Sequence, residues 1–108
     1  GSTGLADELR RGRIDLAFMG LPSAELPDLE TVELVRSAFV ALLPDDHPLS
    51  GSPEITLESL APQPWIDAPH GFGHRVLIER ALARAGLVRE VATEVSAVGD
   101  IPAFVAAG

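Results

Sequence analysis

Residues 65–86, WIDAPHGFGHRVLIERALARAG (Trp65 to Gly86), decide the fold. Trp65-Ile66-Asp67 is a short run framed by Pro62 and Pro64, and it reads as a strand entered from a loop. From Gly73 to Ala85 the apolar residues Leu77, Ile78, Ala81, Leu82 and Ala85 recur at offsets of three and four, the pattern of a helix with one buried face. Arg75 and Glu79 form an i,i+4 pair opposite that stripe, and Gly86 supplies the stop. Arg89 to Val95 alternates imperfectly and reads as the next strand. Strand, helix and strand joined by short loops point to an open α/β sheet with flanking helices.

The flanking sequence extends this pattern. Val98 to Ala107 reads as helical, with Pro102 tolerated because it falls in the first turn. Thr56 can cap a single helical turn through Leu60. Near the start, Gly4 to Gly12 reads as a short helix with Leu5 and Leu9 on one face. Arg10 and Arg11 lie where the helix dipole favours cations, and Gly12 is the stop. Ile14 to Met19, Thr31 to Val35 and Ala38 to Leu43 are expected to be strands. The almost continuous apolar character of the first and third suggests burial on both faces, as in a parallel sheet. Asp15 interrupts the first and is expected to accept backbone hydrogen bonds at the strand start. Leu21 to Asp28, with two prolines, is a connection, and Pro44-Asp45-Asp46-His47-Pro48 ends the third strand.

Composition narrows the function classes. The 108 residues are 46% hydrophobic and 22% charged, as in ordinary globular chains, and the apolar run from Ala38 to Leu43 is far short of a bilayer span. Sixteen acidic residues against eight basic give a net charge of −8, which opposes direct contact with nucleic acid. No cysteine is present, so disulfides, thiolate zinc sites and cysteine nucleophiles are excluded; this usage fits a cytoplasmic protein.

The loop from Asp67 to Arg75 is where chemistry is expected. It follows a strand and opens a helix, and ligands of open α/β sheets dock at the carboxyl ends of strands. A helix start offers unpaired amides and a positive dipole end, suited to a carboxylate or phosphate. Gly71 and Gly73 allow close backbone approach, and Phe72 between them can meet an apolar body. The competing structural reading is a tight turn with Phe72 in the core. The Gly-x-Gly pair lacks the third glycine of a dinucleotide fingerprint, and no phosphate-binding loop of the Walker type occurs, so no cofactor is expected. His70 and His74 are four apart, but the intervening glycines disfavour a helix through both, and no metal is expected. No Gly-x-Ser-x-Gly elbow positions Ser23, Ser50 or Ser52, which argues against an enzyme.

Several segments together resemble the effector-binding domain of LysR-type bacterial transcription regulators. They are Leu9-Arg10-Arg11-Gly12-Arg13-Ile14-Asp15-Leu16-Ala17, Leu43-Pro44-Asp45-Asp46-His47-Pro48-Leu49 and Ile55-Thr56-Leu57-Glu58-Ser59-Leu60-Ala61. Pro64-Trp65-Ile66, Ala81-Leu82-Ala83-Arg84-Ala85-Gly86-Leu87 and the closing Phe104-Val105-Ala106-Ala107-Gly108 follow in order. The resemblance implies a lobe like those of type II periplasmic binding proteins, with an effector held between two lobes. Residues 1–20 would end the first lobe, 21–28 would cross over, and 29–108 would form the second lobe running toward the return crossover. Cleft-facing positions would be Pro69, His70, Gly71, Phe72, Gly73 and His74, with Ser96, Ala97 and Val98; Gly20 and Leu21 would lie at the hinge. The implied partners are a small carboxylate or aromatic effector, DNA only through a helix-turn-helix outside this chain, and further copies of the protein. Strand edges left without partners also favour self-association. The alternative is a solute-binding protein of a transporter with the same fold.

Overall fold

The helix expected over residues 73–85 forms over those residues. In the computed structural model, which describes residues 1–108, six regular elements succeed one another. They are α1 (Ser2–Arg10), α2 (Leu57–Leu60), β1 (Pro64–Asp67), α3 (Gly73–Ala85), β2 (Glu90–Glu94) and α4 (Ile101–Ala107). Short 3-10 turns lie at Ser23–Glu25 and Val98–Asp100. The mixed α/β character is as expected; its centre is the unit β1-α3-β2, whose two strands pair in parallel.

Local chemistry accounts for these boundaries. Gly86 takes the left-handed conformation (φ 68°), which lets the Leu87 N–H return to the Leu82 carbonyl at 2.9 Å and close α3. Pro102 sits in the first turn of α4, where a missing N–H costs nothing. Around α2, Thr56 Oγ1 accepts from the Ser59 N–H and Ser59 Oγ accepts from the Thr56 N–H, a reciprocal cap. Thr56→Ala is expected to lower folding stability by about 1 kcal/mol, measured by urea unfolding. The turn at residues 44–48 is pinned by His47, whose Nδ1 accepts from the Leu49 N–H at 3.0 Å.

The register of the two strands bears on function. Pro64 faces Glu90 and Trp65 faces Val91, then a bulge intervenes and Ile66 faces Thr93 and Asp67 faces Glu94. Ala92 is the extra residue, and its insertion brings two carboxylates opposite each other at the carboxyl ends of both strands. The Val95 N–H continues the ladder by donating to the Asp67 carbonyl at 2.9 Å. Ala68 and Val95 are buried at this end of the unit and Leu82 further down α3, so buried apolar residues lie beneath the loop that follows β1.

Three expected strands do not form. Residues 14–19, 31–35 and 38–43 make no ladder, and the only sheet has two strands. Their apolar side chains face solvent: Leu16, Phe18, Val32, Leu34, Val35 and Val40 are each more than 70% exposed. Asp15 is exposed too, and takes no part in a buried strand start. A strand needs a neighbour to satisfy its amides and carbonyls, and no other segment of the 108 residues lies in register beside these three. The consequence is an elongated molecule, 47 × 27 × 24 Å. Its radius of gyration is 15.7 Å, against about 13 Å for a compact chain of this length.

The expected N-terminal helix also shifts. It starts at Ser2, ahead of Gly4, and its last helical residue is Arg10. Arg10 grips Asp28 in two parallel bonds, Nε to Oδ2 at 2.7 Å and Nη2 to Oδ1 at 3.0 Å, and so ties α1 to the 21–28 connection. This pairing holds Asp28 below the usual carboxylate range and Arg10 above its ordinary value. Arg80 of α3 holds the other side of the connection through Glu25 at 2.7 Å.

Candidate functional site: the loop between β1 and α3

Parallel pairing places the carboxyl ends of β1 and β2 on one edge, so the loop 68–72 and the segment Ser96–Val98 emerge on that edge together. Of the residues expected to face a ligand, Pro69, Gly71, Phe72 and His74 are half-buried, Gly73 is buried, and His70, Ser96, Ala97 and Val98 are exposed. Phe72 is the N-cap of α3 in an extended conformation (φ −70°, ψ 137°), and no side chain caps the helix. The amides of Gly73, His74 and Arg75 therefore have no protein acceptor. The Phe72 ring meets the His74 ring edge-on at 6.2 Å between centroids, and so is not lost in the core.

Ser2 and Thr3, which the sequence reading left outside the first helix, bring a second helix start to the loop. The Thr3 N–H donates to the Gly71 carbonyl at 3.1 Å, and Thr3 Oγ1 donates to the same oxygen at 3.3 Å. Gly71 has φ 93°, open to glycine and strained for other residues, and a Cβ there would fall 2.6 Å from Thr3 Oγ1. A Cβ on Gly73 would overlap the Gly20 carbonyl and approach Ser2 Oγ at 3.0 Å. Gly20, expected at the hinge, thus lies against the first residue of α3. The loop is in direct contact with residues 1–3 and 20. Of two hollows of about 410 and 420 Å³, one lies between the turn at 42–46 and α4, away from the loop, and the other runs along α3 from His70 and Arg75 to Leu82, Leu87 and Val91.

Beneath the loop lies an ionic cluster of which sequence reasoning identified only the pair Arg75–Glu79, on the outer face of the helix. Arg75, expected opposite the apolar stripe, is buried. Its guanidinium donates to the Ala68 carbonyl at 2.8 Å and to Glu79 Oε1 at 3.2 Å, and pairs with Glu94 Oε2 at 3.3 Å. Position in the first turn, over the ends of both strands, explains why this face of α3 turns inward there. The side chain of Arg89 is buried as well: Nη1 lies 2.8 Å from Asp67 Oδ2, Nη2 donates to Glu79 Oε1 at 3.0 Å, and the guanidinium stands 4.5 Å over the Trp65 ring. The Arg89–Asp67 contact is close but poorly aligned as a hydrogen bond, and Arg89 Nε has no acceptor. These two arginines offset the repulsion between the facing carboxylates of Asp67 and Glu94. Asp67 also caps its own strand end by accepting from the Ala68 N–H at 2.7 Å, and it lies 3.4 Å from His74 Nε2.

Hydrogen bonds from Arg89 first, and then Arg75, hold the Glu79 carboxyl below the usual value of 4.5. A depressed carboxylate adds stability that is complete above its unfolded pKa and is lost as pH falls through its folded one. Unfolding free energy followed by calorimetry is therefore expected to decline below pH 4.5, and Glu79→Gln is expected to flatten part of that decline. No cluster of three or more histidine, aspartate or glutamate residues is arranged to hold a metal ion.

A family model, the LysR substrate binding domain, matches residues 1–108. The chain belongs to that family. Among curated relatives, the HTH-type transcriptional regulator CbbR of Cereibacter sphaeroides is 38% identical over 82 residues, covering 76% of this chain and 26% of the relative. The HTH-type transcriptional regulator cbl of Escherichia coli (strain K12) is 31% identical over 104 residues, 96% of this chain and 33% of the relative. The HTH-type transcriptional regulator CatR of Pseudomonas putida is 41% identical over 63 residues, covering 58% of this chain and 21% of the relative. The LysR substrate-binding chain thus spans about a third of the length of these relatives or less. No solved structure matches it significantly. The relatives are named as transcriptional regulators. No helix is long and apolar enough to cross a membrane.

Proposed function

We propose that this LysR substrate-binding domain senses a small carboxylate, aliphatic or aromatic, held between two lobes. Residues 1–20 belong to the first lobe, 21–28 to the crossing and 29–108 to the second. The observation that carries the reading is the uncapped start of α3, with three acceptor-free amides beside Phe72, at the edge where both parallel strands end. Gly73 and His74 offer amides to the carboxylate, Ser2 offers a hydroxyl from the opposing helix start, Thr3 braces the loop through the Gly71 carbonyl, and Phe72 meets the apolar part. Pro69, His70 and Gly71 shape the loop, while Ser96, Ala97 and Val98 border it and Gly20 and Leu21 flex. Binding biases the relative orientation of the lobes, because a ligand shifts an equilibrium by its differential affinity for the two states.

In this reading the shift reaches DNA through a helix-turn-helix outside the 108 residues, in a cytoplasmic regulator that assembles from several copies. The names of the relatives support the helix-turn-helix, and the net charge of −8 supports DNA contact elsewhere in the protein. The unpaired apolar segments at 14–19 and 31–43 support assembly. Isothermal titration of the intact protein with acetate, pyruvate, succinate and benzoate tests the site. At least one of them is expected to bind, and Phe72→Ala is expected to weaken the benzoate class more than the aliphatic acids. Absence of binding across a broader set of carboxylates, or binding indifferent to loop substitutions, refutes the reading.

A further inference from the structure

His70 stands in an unusual setting for an exposed histidine. Arg75 Nη2 lies 3.2 Å from its Nε2, and arginine can only donate. The ring must therefore accept at Nε2, which puts the proton of the neutral imidazole on Nδ1. The guanidinium cannot turn to accommodate another arrangement. It is buried and held by the Ala68 carbonyl, Glu79 and Glu94, contacts from the end of β1, from α3 and from β2. We propose that Arg75 and His70 form a protonation-sensitive latch on the loop: the neutral ring ties residues 69–72 to the first turn of α3, and the protonated ring releases them.

Protonation places an N–H, and a positive charge, against the N–H of Arg75. Arg75 is the better-anchored partner, so the histidine leaves. The other charged groups around the pair are Glu79 on α3, Glu94 and Asp67 at the strand ends, Arg89 ahead of β2, and His74 one turn along. Glu79 and Glu94 are each about half exposed and already engaged by arginine, so neither replaces Arg75 as the ring's partner. His74 Nε2 lies 3.4 Å from Asp67 Oδ1, so that ring faces a carboxylate and not Arg75. This inference deepens the reading of residues 69–74 as the effector loop and rests on it, with Arg75 as a positioning residue that acts through His70.

Long-range proton–nitrogen correlation spectra of the intact protein, labelled on histidine nitrogen, read the latch without any effector. At neutral pH the His70 ring is expected to be bare at Nε2 and protonated at Nδ1, assigned by its loss in His70→Gln. A ring protonated at Nε2 overturns the proposal. Hydrogen exchange of the Phe72 amide, which donates across the loop to the Pro69 carbonyl at 3.4 Å, is then followed, corrected for intrinsic rates, from about pH 8 to about pH 5. Roughly tenfold faster exchange is expected through that range. In His70→Gln, whose amide oxygen accepts from Arg75 at every pH, it should stay flat. An acid response that persists in His70→Gln and disappears in His74→Gln also overturns the proposal. Because neither readout uses an effector, failure here leaves the carboxylate-binding reading to its own test.

Discussion

Arg89→Ala is expected to lower the stability of the domain by about 3–5 kcal/mol, the largest effect of any single change discussed. The arginine side chain is 4% exposed and that of Asp67 is 8% exposed, so truncation leaves a carboxylate shut away from water with its nearest cation gone. Glu79 loses one of its two arginine donors, and the Trp65 ring loses the guanidinium over its face. Urea unfolding of the single variant measures the loss. The double variant Arg89→Met/Asp67→Asn is expected to recover much of it, because the cost lies in the stranded charge more than in the pair itself. The imperfect Arg89–Asp67 alignment and the orphaned Nε fit a pair kept for the geometry it imposes at the strand ends. A loss under about 1 kcal/mol, the range of exposed ion pairs, would mean that water reaches Asp67.

Gly73→Ala is expected to weaken carboxylate binding by tenfold or more, a shift worth about 1.4 kcal/mol, while leaving the domain folded. Two effects of the added methyl oppose each other. Helix propensity favours alanine over glycine by up to about 1 kcal/mol within a helix, which alone predicts a slightly more stable α3. Against this, the new Cβ would fall on the Gly20 carbonyl, a backbone group that cannot swing aside. The loop and the hinge-side segment must then separate, and the start of α3 loses its contact with residues 1–3. Calorimetric affinity and thermal stability measured on the same variant read both: weaker binding with a lowered melting temperature is expected, because the backbone overlap at the first helical residue outweighs the propensity gain. Unchanged affinity would show that Gly20 and Gly73 need not meet for effector capture.

Much of the β1-α3-β2 unit was legible because its signals are local. The 3,4 spacing of Leu77 to Ala85, the glycine at 86 and Thr56 ahead of α2 each depend on neighbours within a turn or two. The segments 14–19, 31–35 and 38–43 were misread for a physical reason. An apolar run states that a segment needs burial, but not whether its partner strand is present in the same stretch of chain. Phe18, Val35 and Val40 accordingly stand in solvent.

The loop was legible in outline, since a strand, two glycines and a helix start locate an edge and a set of free amides. Its supports were not. Arg75 looked like the outer half of an i,i+4 pair, and that pair with Glu79 does form, yet its guanidinium also reaches Ala68 and Glu94 across the sheet end. Arg89 and Asp67 are 22 residues apart and meet only through the bulged register of β1 and β2. Ser2 and Thr3 reach the loop only through tertiary packing.

Amide exchange at Gly73, His74 and Arg75, read in the intact protein with and without a bound carboxylate, is the most direct measure of the site. The three N–H groups have no acceptor of their own, so a carboxylate that titrates calorimetrically should slow their exchange selectively and leave the middle turns of α3 unaffected. A carboxylate that binds, shifts the lobes and protects amides elsewhere, with those three unchanged, would contradict the assignment of the effector to this helix start.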